Sequence, residues 1–181
     1  MKASVFVGTS VDGFIARPNG EFDFLELGGG VPHGFEEFMA QIDTLVIGRK
    51  TFEVVLGFTP PWPYGSKRVV VLSSTPLNLS TMPNVPKETV EQMSGPPAEI
   101  VAKLAATGAQ HLYVDGGVTI QRFLDAGLIQ NLTITRVPVL IGEGIPLFGI
   151  LSRDLPLRHI ATRHYDSGLV QTQYEVIHPA S

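Results

Sequence analysis

The chain has no cysteine, which excludes a disulfide framework, thiol catalysis, a thiolate zinc site and a cysteine-held iron–sulfur cluster. It also lacks any run approaching the ~20 apolar residues that a bilayer-spanning helix needs. A short apolar stretch, Val5-Phe6-Val7, breaks at Gly8-Thr9-Ser10 and soon meets Asp12, so a buried first strand is expected rather than a signal peptide. Positive charge is scarce: 13 Lys+Arg against 17 Asp+Glu leave a formal net charge of −4. Phosphate neutralisation requires clustered basic charge, so no nucleic-acid partner is expected, and no membrane partner either. No G-x-S-x-G elbow, Walker loop or three-glycine dinucleotide fingerprint occurs. His33 beside Glu36 and Glu37, and His159 beside His164, match neither a zinc helix nor a facial triad, so no metal is expected.

What is present is enough apolar material for a core. The 181 residues are 44% hydrophobic and 17% charged, which suits a single domain spanning residues 1–181 in the cytoplasm. Short runs rich in Val, Ile and Leu, at Ser4–Val7, Thr44–Ile47, Val69–Leu72 and Leu112–Val114, read as strands buried on both faces. Between them Phe35, Phe38, Met39 and Ile42 recur at helical spacing, as do Ile100, Val101 and Leu104, and Ile120, Phe123 and Leu124. The alternation predicts parallel strands with helices on both faces. The last third turns antiparallel: Arg158–Tyr165 and Leu169–Ile177 flank the turn Asp166-Ser167-Gly168. In the final strand Val170, Thr172, Tyr174 and Val176 share one face, with Gln171, Gln173 and Glu175 opposite. Proline-rich stretches at 59–63 and 95–97 read as loops.

Polar or glycine-rich residues follow each early strand. Gly48-Arg49-Lys50-Thr51 opens a helix, where unpaired N–H groups, a hydroxyl and two cations suit a phosphate. Gly116-Gly117-Val118-Thr119 lets backbone approach a ligand with no Cβ in the way. Leu72-Ser73-Ser74 ends a strand that starts at Lys67-Arg68, and Thr9-Ser10-Val11-Asp12-Gly13 follows the first strand. Each has a plain alternative: a polar turn, or a bend that needs positive φ. Their coincidence at four strand ends weighs more than any one, because open α/β sheets bind ligands beyond the carboxyl ends of their strands.

In order, these segments resemble the dihydrofolate-reductase-like superfamily, especially the branch related to the reductase domain of bacterial riboflavin biosynthesis. The carriers are Ser10-Val11-Asp12-Gly13-Phe14-Ile15-Ala16, Val46–Glu53, Val71-Leu72-Ser73-Ser74, Val114-Asp115-Gly116-Gly117 and Pro138–Gly144 with Pro146-Leu147-Phe148. The resemblance implies a three-layer α/β/α fold with a central mixed sheet ending in an antiparallel hairpin, NADPH as cofactor, and hydride transfer to a small heterocycle. It implies that Arg49 and Thr51, with Gly48 and Lys50, meet cofactor phosphates. Ser73, flanked by Leu72 and Ser74 and assisted by Arg68, would recognise the 2′-phosphate. Gly116 and Gly117 would pass the pyrophosphate, Val118 and Thr119 would open the helix facing it, and Gly8, Ile15 and Ala16 would line the nicotinamide.

Two departures stand out. The acidic position of dihydrofolate reductases falls near Gly34, and Phe14 stands where riboflavin-pathway reductases carry a basic residue. The substrate of neither is therefore supported. Candidate proton donors are Asp12, Glu36 and His33; candidate substrate walls are Phe14, Phe35, Phe38, Trp62 and Tyr64, of which the first three equally suit core packing. The alternative is a nucleotide-binding module of the same fold without turnover. The terminal hairpin leaves an edge that predicts a homodimer.

Overall fold

The structure is a computed structural model and describes residues 1–30, 32–58 and 62–178. Its strands are β1 (Lys2–Ser10), β2 (Phe14–Ala16), β3 (Thr44–Gly48), β4 (Arg68–Leu72), β5 (Val90–Met93), β6 (His111–Asp115), β7 (Asn131–Val137), β8 (Ile145–Pro146), β9 (Leu157–His164) and β10 (Val170–Val176). Its helices are α1 (Phe35–Ala40), α2 (Arg49–Val55), α3 (Pro97–Ala106) and α4 (Gly117–Asp125). Eight strands form one sheet in the order β5-β4-β3-β6-β1-β7-β10-β9, and β2 pairs with β8 in a small separate ribbon. Strands β5 to β7 of that order run parallel, while β10 is antiparallel to both β7 and β9.

The central strands are apolar at consecutive positions because both sheet faces are covered. Val69, Val70 and Val71 are all fully buried, as are Leu45, Val46 and Ile47. On one face Val46, Val70, Leu112 and Val114 pack with Ile100 and Leu104 of α3 and Ile120, Phe123 and Leu124 of α4. On the other, Leu45, Ile47, Val69, Val71 and Tyr113 pack with Phe52 of α2 and Phe38 and Met39 of α1. Truncating a wholly buried anchor such as Phe123 to alanine would cost about 3–5 kcal/mol, a large share of a typical ~5–15 kcal/mol stability.

The expected mixed sheet, its two helical layers and the C-terminal hairpin are all present. The hairpin strands begin and end within a residue of the expected limits, and the turn closes through Gly168 N–H to Tyr165 O, 2.9 Å. The simple alternation expected of the last strand fails. Gln171 and Thr172 are both buried, and the register shifts between Gln173 and Tyr174. Gln171 tolerates burial because its Nε2 donates to Thr135 Oγ1 (2.9 Å) and His33 O (2.8 Å). Pro97, expected in a loop, is instead the first residue of α3, where a missing N–H costs nothing. Of the expected loop at 59–63, residues 59–61 lie outside the described residues.

Candidate functional site

Because β1, β3, β4 and β6 run the same way, their carboxyl ends lie along one edge of the sheet. Gly48 is level with Leu72, and Ile47 with Asp115. The late strand β6 is inserted between β3 and β1. The chain order reverses there, which opens a crevice beyond the strand ends.

The glycines at this crevice are pressed against hydroxyls. A Cβ on Gly116 would lie 2.5 Å from Thr51 Oγ1, and one on Gly48 would lie 2.8 Å from Thr119 Oγ1. A Cβ on Gly117 would meet Ile15 Cδ1 at 3.0 Å and Ile145 Cγ2 at 3.2 Å. Gly116 also has φ +96°, a region that side chains disfavour. Helix α4 starts here without a side-chain cap, and its first-turn N–H groups have no partner inside the helix. Folding thus brings together Gly48, Thr51, Gly116, Gly117, Thr119 and Ile15, from three separate segments. Val118 is 67% exposed at the start of α4, so it turns away from this cradle. Two hydroxyls packed against glycine backbone, beside helix N–H groups without partners inside the helix, are donors of the kind that suits the pyrophosphate of a dinucleotide.

Arg49 and Lys50 are exposed at the head of α2, which carries no acidic residue in its first turn. The Arg49 Nε bonds Glu53 Oε1 at 2.8 Å across one helical turn, a solvent-facing pair that a phosphate can outcompete. Leu72, Ser73 and Ser74 leave the neighbouring strand at the same level. Ser74 is exposed, but the Ser73 hydroxyl is spent on its own turn, donating to Thr75 O (2.7 Å) and accepting from Thr75 N–H (3.2 Å). Arg68 does not join them. It sits at the amino end of β4, about 13 Å of extended strand from Leu72, and bonds Glu91 Oε1 (2.5 Å) and Thr107 Oγ1 (2.8 Å). Residues four apart in a strand lie at opposite edges of a sheet this narrow, so Arg68 is removed from the site.

Beside the cradle, Ile15 and Ala16 belong to the β2–β8 ribbon, with Ile15 half-buried and Ala16 buried. Phe14, half-buried, pairs with Pro146 in the same ribbon. Gly8 faces Leu25, whose Cδ2 would lie 3.0 Å from an added Cβ. Asp12 is not placed as a proton donor. Its carboxylate accepts from Gly142 N–H (2.8 Å) and Ile141 N–H (3.3 Å), tying the loop after β1 to the loop after β7. The Ser10 hydroxyl, opposed by partial desolvation and helped by those two N–H groups, holds its pKa below the usual carboxylate value. Such an acid stays ionised and serves as a clasp.

The acid that folding does place at the crevice is Asp115. It ends β6 immediately before the cradle, enclosed by protein yet still partly open to solvent. Desolvation raises its pKa above the usual carboxylate value, against the opposing bond from Gly116 N–H (2.8 Å) and the nearby Tyr113 hydroxyl, whose proton goes to Phe6 O (2.9 Å). Burial, and then the Asp115 charge, push Tyr64 up in turn and drive Tyr113 well above the ordinary phenol range. Around it stands an aromatic wall. Phe35 and Phe38 pack edge-on to Tyr113 at 6.2 and 5.1 Å, and Trp62 packs edge-on to Tyr64 at 5.6 Å. Asp115 lies inside the Val114–Gly117 segment, to which the sequence alone attaches no acid–base role. The signal was an acid closing an otherwise apolar strand directly before a glycine pair.

Glu36 lies exposed on α1. His33 rests against Phe6, ring centroids 5.6 Å apart, and helps line a cavity of about 860 Å³ with Lys2, His111 and Gln173. That cavity runs toward the amino ends of β1 and β6, behind α1, away from the cradle. Among the described residues no group of three or more His, Cys, Asp or Glu side chains could hold a metal ion. Nor is any described helix long and apolar enough to cross a membrane.

Residues 2–171 match the family model of the RibD C-terminal domain. The uncharacterised protein YwjB of Bacillus subtilis (strain 168) is 30% identical over 175 residues, covering 96% of this chain and 97% of that one. A crystal structure from Shewanella sp. PV-4, provisionally assigned to riboflavin biosynthesis, superposes with a TM-score of 0.89 at 41% identity, covering 98% of this chain and 100% of that one. Dihydrofolate reductase from Enterococcus faecalis, solved with NADP(H), shares the fold at a TM-score of 0.61 and 21% identity, covering 97% and 94% of the two chains.

Proposed function

The chain belongs to the RibD C-terminal domain family, and from that premise we propose that it is an NADPH-dependent reductase of a small heterocycle. The observation that carries this reading is the cradle of Gly48, Gly116 and Gly117 against Thr51 and Thr119, one residue from the half-open carboxyl of Asp115. Thr51, Thr119 and the first N–H groups of α4 would hold the cofactor pyrophosphate. Arg49, Lys50 and Ser74 would take the 2′-phosphate, where a dianion strengthens each donor's bond. Ile15, Ala16 and Ile145 supply an apolar slot that excludes water from the nicotinamide. When bound, the cofactor would supply a hydride.

The protein's own chemistry is proton handling. A carboxyl with a raised pKa keeps a proton closer to neutral pH than a free one, so Asp115 can donate it to a ring nitrogen or oxygen. The wall of Phe35, Phe38, Trp62 and Tyr64 would hold a flat ring against it. Titration with NADPH and NADH, followed by NADPH consumption against a panel of oxidised heterocycles, tests the reading. Failure to bind either cofactor would overturn it, whereas binding without consumption would favour a nucleotide-binding module. The edge strand β9, exposed at seven of eight positions, is assigned to pairing between two copies of the chain.

A further inference from the structure

Among the described residues, buried side-chain nitrogen and oxygen atoms have hydrogen-bond partners at all but two places, Trp62 Nε1 and Ser167 Oγ. Ser167 belongs to the hairpin turn; Trp62 belongs to the aromatic wall of the crevice. Among the described residues, Trp62 is also one of two non-glycine residues with positive φ, at +57°, a conformation that bulky side chains rarely adopt. Its ring is fixed on two sides. Phe52, next to Thr51 of the cradle, packs edge-on at 6.3 Å, and Tyr64 packs edge-on at 5.6 Å. Tyr64 in turn lies within electrostatic reach of Asp115. A buried donor without an acceptor is costly, and so is backbone strain at the same residue. Nothing in the packing of this wall recovers either cost, which is the pattern of a group held ready for a ligand.

We propose that Trp62 is a specificity-determining donor whose indole N–H bonds a ring carbonyl of a neutral, unphosphorylated conjugated heterocycle, with the ring's donor edge toward Asp115. This rests on the reductase reading and names the substrate class of the same site. Neutrality follows from the neighbouring wall. Helix α1 contributes Phe35 and Phe38 against Tyr113, has no lysine or arginine, and carries exposed Glu36 and Glu37 in its first turn. A phosphate arm leaving the ring past α1 would meet like charge.

Trp62 is the sole tryptophan, so its signals are assignable without labelling. The probes are lumazine, riboflavin and riboflavin 5′-phosphate, the last two differing only by a phosphate, added to the full chain saturated with NADP⁺. The ultraviolet resonance Raman band of the indole N–H is expected to shift to its hydrogen-bonded position when lumazine or riboflavin is added. By calorimetry, Trp62→Phe, which keeps a ring and removes the N–H, is expected to weaken that ring about tenfold and leave NADP⁺ affinity unchanged. An unmoved N–H band, equal affinities in wild type and Trp62→Phe, tighter binding of the phosphorylated ring, or no binding of any of the three overturns the proposal. If NADP⁺ fails to bind the wild type, the reductase reading falls, and the same titration without cofactor still decides Trp62. Should Trp62→Phe not fold, the Raman band of the wild type decides alone.

Discussion

The hydroxyl of Thr51 fills the space that a side chain on Gly116 would take, 2.5 Å from the position of an added Cβ. Two residues 65 positions apart therefore define one wall of the crevice, and a side chain on Gly116 cannot be added while Thr51 stands there. Gly116→Ala combines that clash with a φ of +96°. It is expected to destabilise the fold by about 1–3 kcal/mol and to weaken NADPH at least tenfold. Thermal unfolding and fluorescence titration measure the two effects. Wild-type NADPH affinity in a folded Gly116→Ala protein would contradict the cradle.

NADPH should bind at least about tenfold more tightly than NADH, since charge-assisted bonds to the 2′-phosphate contribute roughly 1.5–3 kcal/mol each. Arg49→Ala should erase most of that preference while sparing NADH. Arg68→Ala, at the far edge of the sheet, should leave both affinities unchanged. A loss of preference in the Arg68 variant would mean that the strand-end assignment is wrong.

Asp115→Asn should lower turnover by about 10²–10⁴ while NADPH binding is kept. The variant should also be the more stable protein at neutral pH. A carboxyl whose folded pKa lies above its unfolded value binds its proton more tightly when folded. The stability it lends is full below the ordinary carboxylate pKa and is lost as pH rises through the raised value. The advantage of Asn over Asp should therefore grow with pH across that interval and vanish in acid. Unfolding curves at several pH values check this; a pH-independent difference would sink the assignment of the raised pKa to Asp115.

Asp12→Asn should behave differently. Its carboxylate is held below its ordinary pKa by Ser10 and two backbone N–H groups, so its contribution is present at neutral pH and fades as pH falls through the depressed value. The expected result is faster proteolysis in the loop at 140–144 with the pH dependence of turnover unaltered. A changed pH–rate profile would restore Asp12 as a proton donor.

Light scattering at micromolar concentration should report about twice the chain mass of 19.6 kDa. Ile160→Lys, on the exposed β9 where Ile160 is 51% accessible, should halve it. A wild-type monomer would remove β9 as a self-pairing edge.

By itself, the amino-acid sequence determined the local elements and their kind. The runs at 45–47 and 69–72 are apolar at every position, the pattern of strands covered on both faces. The glycine-bearing turns at Gly48 and Gly116 directly follow the strands ending at Ile47 and Asp115, because a strand that feeds a helix needs such a bend whatever the rest of the chain does. Tertiary structure decided which of these ends meet. Nothing near Thr51 says that β6 will insert beside β3, and only that insertion sets Thr51 on Gly116 and Thr119 on Gly48. It also decided charge state. Asp12 and Asp115 each precede glycine, yet one is held as an ion by Ser10 together with N–H donors from a distant loop, and the other is raised by burial. Periodicity and turn chemistry act over a few residues and are written locally; desolvation and sheet order depend on contacts from the whole chain, and no short window of sequence contains them.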